Sequence, residues 1–167
     1  MSNVIIKSLI VKYSNKGILV DTNVLLLYLI GNFDVKFITN FKRTSSYTQE
    51  DFFVLNKFIK CFKRRLTTPN ILTEVSNLSP NCNNLRWRGY FENFKNEIEI
   101  VDEKYFQSNN LSKMDEFSFL GLTDSSIIKI AQQKYLVLTD DLPLYDRLQK
   151  QKLDAVNFIH IKTANWI

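Results

Sequence analysis

Acidic residues follow two of the most apolar short segments of the chain. Asp21 comes directly after residues 18–20, and the pair Asp140 and Asp141 comes directly after residues 136–139. A short, continuous apolar run with polar flanks is typical of a strand buried in a parallel sheet. Parallel strands end at the same edge of a sheet, where ligands gather, so we expect these carboxylates to lie close together. The sequence therefore predicts an acidic site at this edge.

Two further acids belong to predicted helices. Glu74 lies about one turn into a helix that is expected to start near Pro69, and Asp124 stands at the start of another helix. Several converging carboxylates repel one another unless cations join them. Oxygen ligands with little His or Cys nearby select Mg²⁺ or Mn²⁺ rather than zinc. Two such ions, roughly 3.5–4 Å apart, can activate water and stabilise the leaving oxygen of a phosphodiester.

Simpler interpretations of the same residues stay open at this point. Asp21 and Asp124 could each do no more than cap the helix that follows, and Glu74 could be an exposed helical acid. By strand geometry alone, Asp140 is as good a candidate as Asp141. The single histidine, His160, has no Ser or Cys motif near it and is interpreted as structural.

The elements that must position these acids alternate between strands and helices. Thr48 is predicted to open the longest helix in a capping box with Asp51, and Pro69 to open a helix that runs to about Leu78. We also expect a helix that stops at Gly31 and strands at 98–101 and 155–159. This alternation predicts an α/β fold, a three-layer sandwich with a mostly parallel central sheet, with residues 1–167 as a single domain.

The net charge of +5 and the isoelectric point near 9.1 suit a partner that carries phosphates. Basic groups with an interleaved aromatic residue can hold a single strand by charge and stacking. The candidates for this role are Arg43, Arg64, Arg65, Arg86 and Arg88.

The expected compartment follows from the cysteines and the apolar segments. Cys61 and Cys82 lie in unrelated contexts without metal-ligand spacing and are interpreted as reduced thiols. Lys7 and Lys12 interrupt the apolar start, so no signal peptide is predicted, and residues 18–30 are too short to span a bilayer. We expect a soluble, cytoplasmic protein without membrane contact.

Four segments resemble, in order along the chain, the four acidic motifs of the PIN-domain family. They are GILVDTNVLLLYL, TTPNILTEVSNL, GLTDSSII and VLTDDLPLY, and the resemblance covers roughly residues 16 to 160. It implies a PIN-like fold and a metal-dependent nuclease that hydrolyses RNA with Mg²⁺ or Mn²⁺. The metal-binding, catalytic acids that it implies are Asp21, Glu74, Asp124 and Asp141.

The resemblance also assigns supporting roles. Thr139 matches a small hydroxyl residue before the last acid, and Asn23 matches a polar position that supports the first aspartate. The spacing from Thr139 favours Asp141 as the fourth acid, which leaves Asp140 as a supporting group.

Other enzyme classes fit less well. A haloacid-dehalogenase phosphatase needs a second acid where this chain has Asn23, and neither a P-loop nor a GxGxxG motif is present. The alternative from another class is a catalytically silent PIN-like module that binds RNA or protein. The presence of all four acids favours an enzyme.

Free-standing PIN domains of this size resemble the ribonuclease toxins of bacterial toxin–antitoxin pairs. That likeness implies an RNA substrate, a small antitoxin protein and a homodimer as the partners to test. The segments 33–49 and 79–110 depart from the most compact toxins, so the toxin role stays open.

Overall fold

The structure, a computed structural model, describes residues 1–81 and 83–164. Within these residues, five strands form one sheet in which every pairing is parallel. The strands are β1 (Ile18–Val20), β2 (Arg65–Thr67), β3 (Asp102–Glu103), β4 (Leu136–Thr139) and β5 (Ala155–Asn157). The order across the sheet is β3-β2-β1-β4-β5. The α/β fold with a parallel central sheet is thus confirmed.

Helices connect the strands and pack against the sheet, in an arrangement consistent with a three-layer sandwich. No helix in the described part of the chain is long and apolar enough to cross a membrane. The helices are α1 (Asn3–Tyr13), α2 (Thr22–Phe33), α3 (Gln49–Ile59), α4 (Pro69–Leu78), α5 (Tyr90–Ile100), α6 (Ser108–Leu111), α7 (Phe117–Gln132), α8 (Leu142–Lys150) and α9 (Phe158–Thr163), with 3-10 turns at Val35–Phe37 and Leu85–Trp87.

Two helix starts follow the local signals that predicted them. The Thr48 side chain accepts from the Asp51 amide at 3.1 Å, and the Asp51 side chain accepts from the Thr48 amide at 2.9 Å. This reciprocal capping box opens α3 and satisfies two amides that would otherwise lack partners. Pro69 is the first residue of α4, where its missing N–H costs nothing.

The expected stop of α2 at Gly31 is wrong, because the helix runs on to Phe33. A Cβ atom at Gly31 would lie 2.2 Å from the ring of Phe52 on α3. The glycine therefore allows close packing between α2 and α3, and it does not serve as a left-handed helix cap.

Two predicted strand boundaries are also wrong. Ile98 and Ile100 belong to α5 and are 40% and 66% exposed, and the strand that follows is β3 instead. The last strand ends at Asn157, whose side chain accepts from the Ile159 amide at 3.0 Å and so opens α9. His160 consequently lies in this helix and not at a strand end.

An aromatic cluster, defined here as Phe33, Phe37, Phe41, Trp87 and Tyr90, joins the segment 34–48 to α2 and α5. Ring centroids are 5.8 Å apart between Phe33 and Trp87, and 4.5 Å apart between Phe37 and Trp87. Trp87 is only 9% exposed, although it lies outside regular helices and strands. The cluster fixes two irregular segments against the helical layer.

Candidate functional site

The carboxyl ends of β1 and β4 lie side by side where the sheet reverses its strand order. β2 lies on one side of β1, whereas β4 and β5 lie on the other. Such a switch point leaves a crevice beyond the strand ends, because the connections on its two sides depart in opposite directions. The Asp21 amide donates to the Leu138 carbonyl at 2.9 Å. The first acid of the sequence is thereby fixed against β4.

Asp21 is a buried carboxylate, only 5% exposed. Its Oδ2 accepts from the Thr139 hydroxyl at 2.5 Å, and its Oδ1 accepts from the Thr22 amide at 2.6 Å. Burial raises the pKa of Asp21 to about 6; the two hydrogen bonds oppose this rise, and the charges of Asp140 and Asp141 add to it. Asp21 caps α2, as the simpler interpretation held, and it also lies among other acids.

Glu74 extends from α4 and is held by two threonines. Its Oε2 accepts from the Thr22 hydroxyl at 2.9 Å, and its Oε1 accepts from the Thr123 hydroxyl at 2.6 Å. These threonines are the sequence neighbours of Asp21 and Asp124. Glu74 is therefore tied to the segments that carry two other acids, which an isolated exposed acid would not be.

Asp124 is the acid whose pKa is affected by all three of the other candidate acids. The pKa of Asp124 is raised to about 7, first by burial and then by the carboxylates of Asp21, Asp141 and Glu74, in that order. Within residues 1–81 and 83–164, no hydrogen-bond donor reaches this half-buried carboxylate. A carboxylate in this position favours either a proton or a cation.

A break in α7 places Asp124 near a helix start. Gly121 adopts φ 82° and ψ −170°, a conformation open mainly to glycine, so the regular helix begins just after it. Asp124 consequently lies in the first turn of the segment that continues to Gln132. The positive end of the helix dipole there favours the charged form of an acid.

The neighbours Asp140 and Asp141 point to different partners. Asp141 caps α8 by accepting from the Leu144 amide at 2.7 Å, and it is one of the carboxylates that raise the pKa of Asp124. Asp140 instead accepts a hydrogen bond from the Tyr47 hydroxyl, and its other oxygen is buried without a partner. The geometry thus assigns different surroundings to two residues that strand geometry alone treated as equivalent.

The acids that act on Asp124 offer the type of ligand atom that a hard divalent cation prefers. Every candidate donor is a carboxylate oxygen, and the repulsion among them is the kind that a cation relieves. The spacing is looser than a finished ligand set, since no three Asp, Glu, His or Cys side chains in the described residues are grouped closely enough to hold an ion as they stand. The acids fit a divalent cation by charge and donor type, but not by their present spacing.

Two of the five candidate nucleic-acid-binding arginines are already paired with acids. Arg64 donates to Asp102 at 2.7 Å, and Arg65 holds Glu97 through two hydrogen bonds of 2.7 and 3.0 Å. Arg65 also begins β2, at the edge of the sheet opposite the acids.

The remaining three arginines are all exposed. The Arg86 guanidinium lies 4.7 Å from the ring centre of Phe37. Arg43 and Arg88 have no such ring contact among the described residues.

Several residues around the acids differ from the sequence interpretation. Asn23 is exposed in the first turn of α2, and no hydrogen bond joins it to Asp21 in the described part of the chain. Tyr47, which sequence reasoning did not select, is 9% exposed and has a raised pKa because of burial and the adjacent Asp140 carboxylate. Thr22 and Thr123 were also missed as partners of Glu74, although each stands beside a selected aspartate.

Comparisons with protein-family models, with curated proteins and with solved structures find no match for this chain.

Proposed function

We propose that this chain is a Mg²⁺- or Mn²⁺-dependent endoribonuclease of the PIN class, which hydrolyses RNA phosphodiester bonds by a two-metal-ion mechanism. The observation that carries the proposal is the environment of Asp124: no donor among the described residues bonds its carboxylate, and its pKa is raised first by burial and then by three other acids from separate elements. The order of the four acidic motifs along the chain supports the class.

The four acids would hold the ions. Asp21, Glu74, Asp124 and Asp141 come from the end of β1, from α4, from α7 and from the end of β4, so a cation among them would be held by four elements at once. When bound, the ions would supply an activated water and charge stabilisation at the phosphate. Without cations, the same carboxylates repel a phosphodiester, so RNA cleavage should require the metal.

Three threonines would keep the acids oriented. Thr139 donates to Asp21, and Thr22 and Thr123 donate to the two oxygens of Glu74. Each bond fixes a carboxylate through one oxygen and limits its rotation. Ligands that are held by a second set of hydrogen bonds typically bind metal more tightly, by roughly 10–100-fold.

The direct experiment is cleavage of labelled RNA with magnesium, with manganese and with EDTA. We expect cleavage that leaves 5′-phosphate ends with either metal and none in EDTA. Asp21→Asn should abolish the cleavage, whereas the matched control Asp115→Asn, which changes an exposed acid of a loop, should keep it. Full cleavage in EDTA, or by Asp21→Asn, would contradict the proposal.

A catalytically silent module that binds RNA or protein is the second candidate. The loose spacing of the acids in the described residues favours it over a preassembled metal enzyme. The two candidates differ in one measurement, because a silent module retains RNA on a filter in magnesium without shortening it. Binding with no cleavage in either metal would establish the second candidate.

We further propose that the nuclease acts as a growth-inhibiting toxin that a small antitoxin protein restrains. The resemblance to free-standing PIN toxins supports this role. Expression of the parent chain alone should slow bacterial growth, and Asp21→Asn should relieve the effect while Asp115→Asn does not. Equal growth of all three strains would contradict the toxin role and would leave the cleavage assay to judge the nuclease.

A further inference from the structure

A cavity of about 450 Å³ lies at the opposite edge of the sheet from the acids and is lined by four lysines. Its volume is within the range of small-molecule sites, roughly 300–1,000 Å³. The charged or amide side chains in its wall are Lys12, Lys16, Lys134, Lys152, Gln132 and Asp154.

The position of the lysines follows from the strand topology. Lys16 precedes β1 by two residues, Lys134 precedes β4 by two residues, and Lys152 precedes β5 by three. These three strands are neighbours and parallel, so the residues before them meet at one edge. A strand of three or four residues rises about 3.3 Å per residue, so the cavity and the acids are separated by roughly 10 Å or more.

Asp154 neutralises only part of the charge in this cavity. Its Oδ2 accepts from the Lys12 ammonium at 2.5 Å and from the Tyr13 hydroxyl at 2.6 Å. Lys16 lies 5.6 Å from the centre of the Tyr13 ring. Among the described residues, no carboxylate pairs with Lys134 or Lys152. The cavity therefore has four ammonium groups against one carboxylate.

Lysines near helix ends often do no more than offset the helix dipole. Here the helix ends and Asp154 together carry less negative charge than the lysines carry positive charge. The C-terminal ends of α1, α7 and α8 lie beside the cavity, and each contributes about half a negative charge. Together with Asp154 they leave a positive excess of roughly one to two charges. An excess of this kind in a concave wall attracts an anion.

The backbone conformation of two of these lysines also indicates a functional site. Lys134 has φ 66° and Lys152 has φ 56°, and they are the non-glycine residues of positive φ in the described chain. Glycine or asparagine would adopt this left-handed conformation with less strain and would still end the helix. Both strained positions instead carry a lysine that lines the same cavity, and strain of this kind concentrates at functional sites.

We propose that this cavity binds a small anion with two or more phosphate groups, of the kind found in pyrophosphate or in the phosphate chain of a nucleotide. Lysines from three chain segments line the cavity. Their ammonium groups can therefore contact such an anion from several sides, which a single phosphate of an extended strand would not require. The site is separate from the acids, and binding there needs neither a metal nor RNA cleavage.

The test is isothermal titration calorimetry of the whole chain with pyrophosphate and with ATP, in EDTA. The double variant Lys134→Asn/Lys152→Asn removes two charges, and asparagine tolerates the left-handed backbone. We expect the parent to bind and the double variant to bind about tenfold more weakly or worse, because charge-assisted hydrogen bonds are lost. Lys57→Gln/Lys60→Gln, which alters two exposed lysines near the end of α3, is the charge-matched control and should bind like the parent.

Three results would overturn the proposal. The first is an absence of binding by the parent, and the second is equal weakening in the control variant. In the third, end-labelled RNA would bind in EDTA through Lys134 and Lys152 while pyrophosphate neither binds nor competes.

Lys16→Gln keeps the two helix ends intact and should also weaken pyrophosphate binding, so the proposal stays testable if the double variant folds poorly. Because no cleavage is measured, failure of the nuclease proposal leaves this test unchanged.

Discussion

The Thr139 hydroxyl donates to the Asp21 carboxylate at 2.5 Å, across the ends of two adjacent parallel strands and between residues that are 118 positions apart. The same hydroxyl oxygen accepts from the Asp141 amide at 2.9 Å. Thr139 is fully buried, so one hydroxyl group positions two acids without competition from water. The relationship explains why a residue that carries no charge should matter to an acidic site.

Thr139→Val should lower metal affinity and cleavage more than its small change in volume suggests. Valine cannot donate to Asp21, and it leaves the Asp141 amide without a partner; each loss of this kind costs about 1–3 kcal/mol in a buried site. Thr139→Ser retains the hydroxyl and should behave like the parent. Magnesium titration and RNA cleavage of the three proteins provide the measurement, and equal effects of Val and Ser would show that the hydrogen bond is unimportant.

Asp141→Asn should reduce single-turnover cleavage much more than Asp140→Asn. The charge of Asp141 raises the pKa of Asp124, whereas Asp140 accepts a hydrogen bond from Tyr47. We expect the Asp140 variant to stay within the roughly 10–100-fold loss that is typical of supporting groups, and the Asp141 variant to exceed it. Asparagine also caps helices well, so the α8 start should survive in Asp141→Asn. The reverse order of severity would assign the fourth acid to Asp140.

Asp124→Asn should change how the stability of the metal-free protein depends on pH. The folded pKa of Asp124 is raised from 3.8 to about 7, so between these values the folded protein keeps a proton that the unfolded chain has released. The free energy of unfolding therefore falls as pH rises through this window, and the loss is complete above it. Asp124→Asn lacks this loss. At the alkaline end, its free energy of unfolding should therefore exceed that of the parent by roughly 0.5–2 kcal/mol, after screening by solvent.

Urea unfolding in EDTA, at several pH values between the two pKa values and above them, measures this difference. Asp115→Asn is the control, because that acid is exposed and is not among the carboxylates that raise the pKa of Asp124. A variant that is less stable than the parent at every pH would show that Asp124 is an ordinary helix-start residue.

Tyr47→Phe should destabilise the protein by about 1–3 kcal/mol, the usual cost of leaving a buried acceptor without its donor. The Tyr47 hydroxyl is the contact that joins the segment 34–48 to Asp140. Tyr105→Phe removes a hydroxyl from a side chain that is 72% exposed and should cost almost nothing. Thermal unfolding of both variants checks this, and equal shifts would contradict a special role for Tyr47.

The buried strands were the most predictable part of the fold. Residues 18–20 and 136–139 are covered on both faces, so each appears in the sequence as a continuous apolar run. The acid that follows each run could then be assigned to one edge of the sheet. The same logic failed at Ile98 and Ile100, because a short apolar stretch at the exposed end of a helix has the same appearance.

The contacts that refine the candidate site could not be predicted from local pattern. Tyr47 reaches Asp140 from an irregular segment 93 residues earlier, and no periodicity marks such a contact. Thr123 was within a recognised motif, yet its bond to Glu74 depends on how α4 and α7 pack together. Long-range side-chain pairing is decided by tertiary packing, which spacing along the chain does not encode.

The fluorescence of Trp87 in the aromatic cluster can report on the local structure of the protein. Trp87 and Trp166 are the two tryptophans of the sequence, so in a Trp166→Phe background all indole emission comes from Trp87. The Trp87 ring is surrounded by Phe37, Phe41 and Tyr90, and its emission depends on whether segment 34–48 stays docked. Release of that segment would expose the indole to water and shift its emission to the red while the far-ultraviolet signal of the sheet and helices persists. Loosening of the segment that holds Asp140 can therefore be followed separately from unfolding of the whole chain.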